Sequence, residues 1–555
     1  MKNISRLLII VFALLLALDV YAGGGNRTGT GGAAQLLIPV GPRGIAMGES
    51  VDKKTVSLKA AEYGLILSSV ALDRIIELGL DHESILRGAR DAGEWFISPE
   101  YIEGKIASGK LNMCDKPAPA KKDSPIGLDP SDARPASCDI KSKLIIHDAS
   151  DVSGKSTCAG TLEDFVGYFD RRFENLRSVM QEHVEYKMAI TIEALKKANN
   201  RDKARLIVMV KEKRESNKGN RFLEVEDMTG SLTVLFSDKN EAVKGAYDRI
   251  LNDEVIGLEG ILRGDLFIAS EVTQPDIPIN HVRRFAGEEV YAVFLSDIHV
   301  GSYLFLEKEF QAFIDWLNGR GGRQDIAAKV KYILVAGDLV DGIGIYPGQE
   351  KELTMPDIRR QYEFLTLLLA EIPKHIEVVL SMGNHDASRN AEPQPRIDKD
   401  LAPGLYGLPN VHVTGNPVWL SAHGVEFLMY HGTSLDTIIG NLSGCSYQRP
   451  ETAMVELLRR RHLVPTYGSD SISPENHDYL FIGDVPDVFH CGHVHTNGYS
   501  MYRGVNVVNS GTWQAKTAFQ ERLGHQPTPA LVPVMNLQNH ELSILDFTEN
   551  GRTDG

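Results

Sequence analysis

The sequence predicts a multidomain α/β protein in which a small helical segment, a β-barrel and a large, mostly parallel-sheet domain follow one another. Three observations predict it. The chain has 555 residues, several times the roughly 150 of one average domain. Residues 204–272 read as five short strands punctuated by turn residues. From residue 289 onward, apolar strands alternate with amphipathic helices, which is the pattern of βαβ units.

Composition narrows the class. With 43% hydrophobic and 24% charged residues, the chain is neither collagen-like nor wholly disordered. The net charge is −15, from 59 Lys+Arg against 74 Asp+Glu. That argues against a stand-alone nucleic-acid binder, whose affinity comes from a positive surface. It leaves open a subunit whose partner supplies the positive charge. Five cysteines (Cys114, Cys138, Cys158, Cys445 and Cys491) form no Cys-x-x-Cys pair, so neither a disulfide scaffold nor a cysteine zinc site is indicated.

The elements follow in order. Lys2 and Arg6 precede the apolar run Leu7 to Leu18, and Val20-Tyr21-Ala22 resembles a cleavage site. The run is too short to span a bilayer, so residues 1–48 form a signal-like extension or, with Met47 as the true start, a mis-started one. Helical spacing of apolar residues at 71–78 and 83–86 places a small helical domain at 49–112. The stretch at 113–140 is rich in Pro, Asp, Lys and Ser and reads as a linker. Residues 141–285 read as a helix plus an OB-like barrel, and 286–550 as the large domain.

Within 141–285, residues 143–147 are a candidate strand. The following Ala149 to Ser156 matches a phosphate-loop pattern with Lys155 on the phosphates. The simpler reading, which we favour, is a turn whose Ser156 or Thr157 caps the next helix. That helix carries Phe165, Tyr168, Phe169, Phe173 and Leu176 on a core-facing stripe. Strands at 204–213, 221–227, 231–236, 255–262 and 266–272, with a helical stretch near 241–251, suggest a small Greek-key barrel. Such barrels bind oligonucleotides or dock proteins, and the many acids among its basic residues favour docking.

The chemistry lies in the large domain. Five apolar strands each end in potential metal ligands: Asp297-Ile298-His299, Asp338 with Asp341, Gly383-Asn384-His385-Asp386, His431, and His493-Val494-His495. Sites in open α/β sheets form at the carboxyl ends of strands, which is where all five clusters lie. Two divalent ions about 3.5–4 Å apart need a bridging carboxylate, and Asp338 is the candidate. Mixed His, Asp and Asn ligation suits Mn, Fe or Zn better than Mg. One such cluster could be only a structural turn; five in succession are not readily dismissed. Arg459, Arg460 and Arg461 are a possible DNA contact or, more simply, a solvated helix end.

This ordered motif set resembles that of the calcineurin-like metallophosphoesterases from about Tyr291 to Phe547. The resemblance implies a metallophosphoesterase sandwich. It assigns Asp297, His299, Asp338 and His495 to one metal, and Asp338, Asn384, His431 and His493 to the other. It makes His385 the catalytic histidine, with Asp386 orienting it. The strings "SDIHVGS", "GDLVDGIGIYPGQEKEL", "RRRHLVPTYG", "VPDVFHCGHVHTNGY" and "NSGTWQAKTAFQ" are similar, more narrowly, to the small-subunit family of archaeal family-D DNA polymerases.

This narrower resemblance implies a proofreading 3′→5′ exonuclease, with two divalent ions (Mn first; Fe, Zn or Mg otherwise). Its partners would be a large polymerising subunit and DNA 3′ ends, with no membrane. The alternatives are an exported phosphoesterase or nucleotidase, and a non-catalytic scaffold subunit. A scaffold predicts eroded metal ligands, and none is eroded here. The unpaired cysteines place the chain in the cytoplasm, against its signal-like start.

Overall fold

The computed structural model describes most of residues 56–107 and residues 135–548, except short stretches at 199–201, 218 and 238–240. The signal-like extension, Cys114 and nearly all of the expected linker lie outside the described residues. Among the described residues, no helix is long and apolar enough to cross a membrane. The chain divides into two compact units, residues 1–120 and 121–555.

The first unit has helices Ser69–Glu77, His82–Asp91 and Pro99–Ala107. Ala71, Ile75, Leu86, Ala89 and Ile102 form its core, as their helical spacing predicts. Asp81 starts the second helix by accepting hydrogen bonds from the amides of Glu83 (3.1 Å) and Ser84 (3.3 Å). A parallel pair, β1 (Ile66–Leu67) and β2 (Phe96–Ile97), joins this core. Strands of two residues are too short to show a period in the sequence.

The second unit opens with β3 (Leu144–Ile146), which pairs antiparallel with Val418–Ala422 of the large domain rather than with the barrel. The adjoining turn makes no phosphate cradle. Lys155 Nζ donates to Asp148 Oδ2 (2.9 Å) and to the Asp151 carbonyl, and Ser156 donates to Glu475 (2.6 Å). Neither Ser156 nor Thr157 caps a helix. The helix Leu162–Glu182 starts later, in a capping box between Thr161 and Asp164.

Strands β4 (Ala204–Glu215), β5 (Arg221–Asp227), β6 (Gly230–Phe236), β7 (Val255–Arg263) and β8 (Leu266–Thr273) close a barrel in the order β4-β5-β6-β8-β7. Strict alternation on β5 and β6 sends Leu223, Val225, Leu232, Val234 and Phe236 inward. The start of β7 is instead buried on both faces, because the Leu162–Glu182 helix and the turn after it cover it. A Cβ at Gly257 would collide with the Tyr186 ring and come 2.6 Å from the Met180 methyl.

The large domain stacks two six-stranded sheets. One has the order β12-β11-β10-β9-β18-β19, from β9 (Tyr291–Leu295), β10 (Val330–Ala336), β11 (Glu377–Ser381), β12 (Val411–Val413), β18 (Leu531–Asn536) and β19 (Leu542–Asp546). The other runs β16-β17-β15-β14-β13-β3, with β13 (Val418–Ala422), β14 (Val425–Met429), β15 (Val488–Cys491), β16 (Gly498–Tyr502) and β17 (Val505–Asn509). Strands β9 to β12 are mutually parallel, as are β14, β15 and β17. Phe294, Leu334 and Val379 of one sheet meet Leu420, Phe427 and Val508 of the other in one core. The carboxyl ends of β9, β10, β11, β14 and β15 carry the ligand clusters.

Candidate metal centre

Each ligand cluster sits where a largely buried strand breaks into a tight turn. Asp297, His299, Asp338, His493 and His495 all have left-handed backbones, with φ from 50° to 70°. Side chains other than glycine reach this region only when the surroundings hold them there, and such residues concentrate at functional sites. Glycine is required between them. A Cβ on Gly383 would strike Asp338 Oδ1, and one on Gly492 would lie 2.5 Å from Asp297 Oδ2.

The predicted ligands converge in two groups. In the first, His299 Nε2 and His495 Nε2 face each other at 3.1 Å, and Asp297 Oδ1 lies 3.3 Å from the latter. In the second, Asn384 Oδ1 is 2.9 Å from His431 Nε2 and 3.1 Å from His493 Nδ1. Asp338 stands between them. The His385 amide donates to its Oδ1 at 2.8 Å. That leaves Oδ2 facing inward, 3.8 Å from His299 Nε2 and 3.4 Å from His431 Nε2. A carboxylate shared by both groups is the arrangement a bridging ligand needs.

The residues fit divalent cations. Asp297 and Asp338 are buried, and Asp297 Oδ1 has no hydrogen-bond partner although its companion Oδ2 accepts from the His493 amide. A buried, unpaired carboxylate oxygen is costly unless a cation completes it. The titration of the histidines says the same. Burial alone would lower His299 and His431. The Asp341 hydrogen bond and the nearby carboxylates instead push His299 up to about 9, and the charge of Asp338 with its hydrogen bond pushes His431 up to about 10. Cations and protons therefore compete for these rings, and metal affinity falls as pH falls.

Residues the sequence did not single out hold the ligands in place. Asp341 meets His299 Nδ1 with its carboxylate (3.0 Å) and His385 Nδ1 with its carbonyl (2.8 Å). Gln514 and Gln349 in turn donate to the Asp341 carboxylate, each at 3.0 Å. Asp436 takes His493 Nε2 at 3.0 Å, the Ala336 carbonyl takes His431 Nδ1 at 2.8 Å, and the Gln520 amide lies 2.9 Å from His495 Nδ1. Such partners fix ring orientation and ligand strength. Asp341 lies within a cluster already visible in the sequence. Asp436 and Gln520 come from short helices, Leu435–Asn441 and Ala518–Arg522, and Gln514 from a loop; Gln514 and Gln520 fall within the string "NSGTWQAKTAFQ", where nothing marks them as partners of the ligands.

Two expectations are corrected. Asp386 does not orient His385. Its carboxylate accepts from the amides of Gly383 (2.9 Å) and Leu339 (3.3 Å) and from the Tyr362 hydroxyl (3.1 Å), so it pins the ligand loops. Burial, reinforced by the charge of Asp338, pushes it up to about 7.

The arginines are the second correction. Arg460 and Arg461 are buried, 2% and 3% exposed, and cannot reach DNA. Arg460 pairs with Glu254 and Glu456, each at 2.6 Å, and Arg461 Nε donates to the Ile482 carbonyl at 2.7 Å. Arg459 is half-buried, bonded to Glu456 (2.9 Å) and to the Tyr502 hydroxyl (3.1 Å). Arg460 and Arg461 are thus held inside the protein, the contacts of Arg460 reaching across to the barrel, while Arg459 keeps part of its side chain at the surface.

Sandwich and centre together define a calcineurin-like metallophosphoesterase domain, and residues 291–497 match the family model described as calcineurin-like phosphoesterase. Such a domain implies divalent metal ions.

Beyond that domain, the chain is 44% identical over 406 residues to the DNA polymerase II small subunit of Methanocaldococcus jannaschii, covering 72% of this chain and 68% of that one. It is 40% identical over 493 residues to the corresponding protein of Archaeoglobus fulgidus, covering 88% and 96% of the two chains. For Methanothermobacter thermautotrophicus the identity is 39% over 499 residues, with 88% and 99% covered. The chain belongs to the DNA polymerase II small subunit family.

Proposed function

We propose that this chain is the 3′→5′ exonuclease subunit of a DNA polymerase, removing mismatched or single-stranded 3′ ends for a large polymerising subunit. The observation that carries the reading is the convergence of every ligand on two adjoining groups around Asp338, with His385 beside them. A purely architectural subunit has no use for two buried carboxylates set among converging imidazoles.

When bound, two divalent cations supply Lewis acidity toward the terminal phosphodiester and lower the pKa of the attacking water. The protein's own part is geometric. Asp297, His299 and His495 hold one side of the phosphate site, Asn384, His431 and His493 the other, and Asp338 fixes their spacing. His385 donates Nδ1–H to the Asp341 carbonyl, so Nε2 is the atom that exchanges a proton with the departing 3′ oxygen. Burial keeps His385 below the usual imidazole range in the free protein. A bound phosphodiester adds negative charge and draws the proton onto Nε2. The products are a nucleoside 5′-monophosphate and a strand with a new 3′ hydroxyl.

The barrel order β4-β5-β6-β8-β7, with the helix Glu241–Asp248 between its third and fourth strands, supports an OB-like docking module. Preference for mismatches needs no base reader, since a frayed end has already met the cost of unpairing.

The test is to co-express the full chain with its large subunit and follow manganese-dependent nucleotide release from a mismatched 3′ end. Release that His385→Ala abolishes while metal content is kept supports the reading. A stable complex without hydrolysis makes the chain a scaffold. Phosphate release from monoesters by the chain alone makes it a free phosphoesterase.

A further inference from the structure

A chain of net charge −15 cannot draw a polyanion by surface charge, so its hold on a strand end must come from elsewhere. Two loops leaving the metal centre offer it. The first follows His299 and exposes Tyr303, which is 54% accessible. The second follows Asp341 and exposes Ile343, Ile345 and Tyr346, at 45%, 37% and 38%. Exposed aromatic and branched apolar side chains in succession, on loops that begin at ligand-holding residues, are unusual for a solvated surface.

The two loops form one wall. The Tyr303 amide donates to the Glu352 carbonyl at 2.9 Å, and the Tyr346 hydroxyl donates to the Glu352 carboxylate at 3.0 Å. Ser302 and Leu353 add a β-bridge. The wall is also tied to the centre. Buried Gln349 accepts from the Ile345 amide at 2.9 Å and donates to the Asp341 carbonyl at 2.7 Å, the same carbonyl that holds His385. Gly342 is wedged in between. A Cβ there would strike the His385 carbonyl and come 3.1 Å from the Ile345 side chain.

We infer that Tyr303, Ile343, Ile345 and Tyr346 form a stacking platform for the unpaired bases at the end of the strand whose terminal phosphate enters the centre. The inference rests on the exonuclease reading and adds how the substrate is recognised. Bases carry an apolar π-face whatever their identity, and aromatic platforms grip single strands with little sequence preference. The His385 carbonyl and the Ile345 side chain both close on Gly342, so a base next to a phosphodiester held at His385 lies beside this wall. A paired end keeps its bases stacked on each other, so the platform rewards frayed ends.

The test uses the complex of the full chain with its large subunit, and a single strand carrying 2-aminopurine at its 3′ end behind a non-hydrolysable phosphorothioate. Stacking on tyrosine quenches the probe. Tyr346→Ala should remove most of the quench and raise KM for a hydrolysable strand about tenfold, the share expected of one stacked base. Tyr303→Ala should act in the same direction. Tyr346→Phe should restore both readouts although its bond to Glu352 is gone. Hydrolysis of methyl p-nitrophenyl phosphate, which has no base, should keep its kcat in all three.

Unchanged quench and KM in Tyr303→Ala/Tyr346→Ala overturn the platform. Loss of the large subunit in that variant also overturns it and makes the wall a protein-docking surface. A wild-type complex that quenches the probe but releases no nucleotide sinks the exonuclease reading and leaves the platform standing.

Discussion

Two buried, charged clusters in this molecule look alike in composition and behave oppositely. At the metal centre, Asp297 and Asp338 gather histidines around them, and Asp297 Oδ1 has no hydrogen bond, only the His495 imidazole 3.3 Å away. At the barrel seam, Arg460 meets Glu254 and Glu456, and Arg172 donates to the carbonyls of Val464 and Pro465, each at 3.0 Å. At the seam each of these glutamates meets a guanidinium; at the centre Asp297 and Asp338 meet imidazoles and backbone amides, with no arginine or lysine among their ion pairs to the described residues. The difference teaches how to read a buried polar group. Charges balanced by neighbours hold domains together, and charges left unbalanced wait for a ligand.

The largest effect should come from removing the carboxylate the two ligand groups share. Asp338→Ala should bring bound metal to zero by elemental analysis. Phosphodiesterase activity should fall more than about a thousandfold, beyond the cost of losing one charge-stabilising donor. Retention of one full metal equivalent would show that the groups load independently, and Asp338 would not be the bridge.

The seam should respond in stability and not in metal content. Arg460→Ala leaves Glu254 buried without its cation, which costs about 3–5 kcal/mol, while Glu456 keeps Arg459 and Arg249. Replacing Arg460 and Glu254 together by Met and Leu should recover most of it, because well-packed apolar residues avoid the desolvation penalty. Denaturant titration of the two variants separates a broken ion cluster from a lost packing contact. If Arg460→Ala is neutral, the seam holds little.

The same contrast explains what was legible in the sequence. Ligand clusters announced themselves because each is local, a few residues at the end of an apolar strand. The five barrel strands were legible for a similar reason, since period-two burial on β5 and β6 is a local signal. Arg459, Arg460 and Arg461 misled because their meaning lies in distant residues: Glu254 is on the far side of the seam, and the Ile482 carbonyl is on another loop. Asp386 misled in the opposite way. Adjacency to His385 suggested a partner, whereas its carboxylate turns back to Gly383, Leu339 and Tyr362. Likewise the candidate strand at 143–147 gives no sign of its partner, because β13 lies more than two hundred and fifty residues onward.

Asp341 tests how far the orienting residues share in the centre. Asp341→Asn keeps an oxygen toward His299 Nδ1 but removes the charge. Metal affinity should fall about 10–100-fold, the usual cost of altering such a partner, with folding intact. Titration against a competing chelator measures it. An unchanged affinity would mean that the carbonyl contact to His385 is the whole role of Asp341.

The smallest expected effect concerns a buried histidine that sits beside the ligands without being one of them. His490 precedes the ligand loop on β15, and its Nε2 meets Ser510 Oγ at 2.9 Å. Burial pushes it down to about 3, so it stays neutral in the fold while the unfolded chain protonates it near pH 6.5. The unfolded state then binds more protons, and stability rises with pH. The contribution is fully present above about pH 6.5 and drains away as pH falls toward 3. Between pH 6.5 and 5 the metal-free protein should lose about 1–2 kcal/mol through this group. His490→Gln, which cannot take up a proton, should flatten that part of the profile in urea titrations. An unchanged slope would place the acid sensitivity on the ligand histidines, and the line between the two clusters would have to be redrawn.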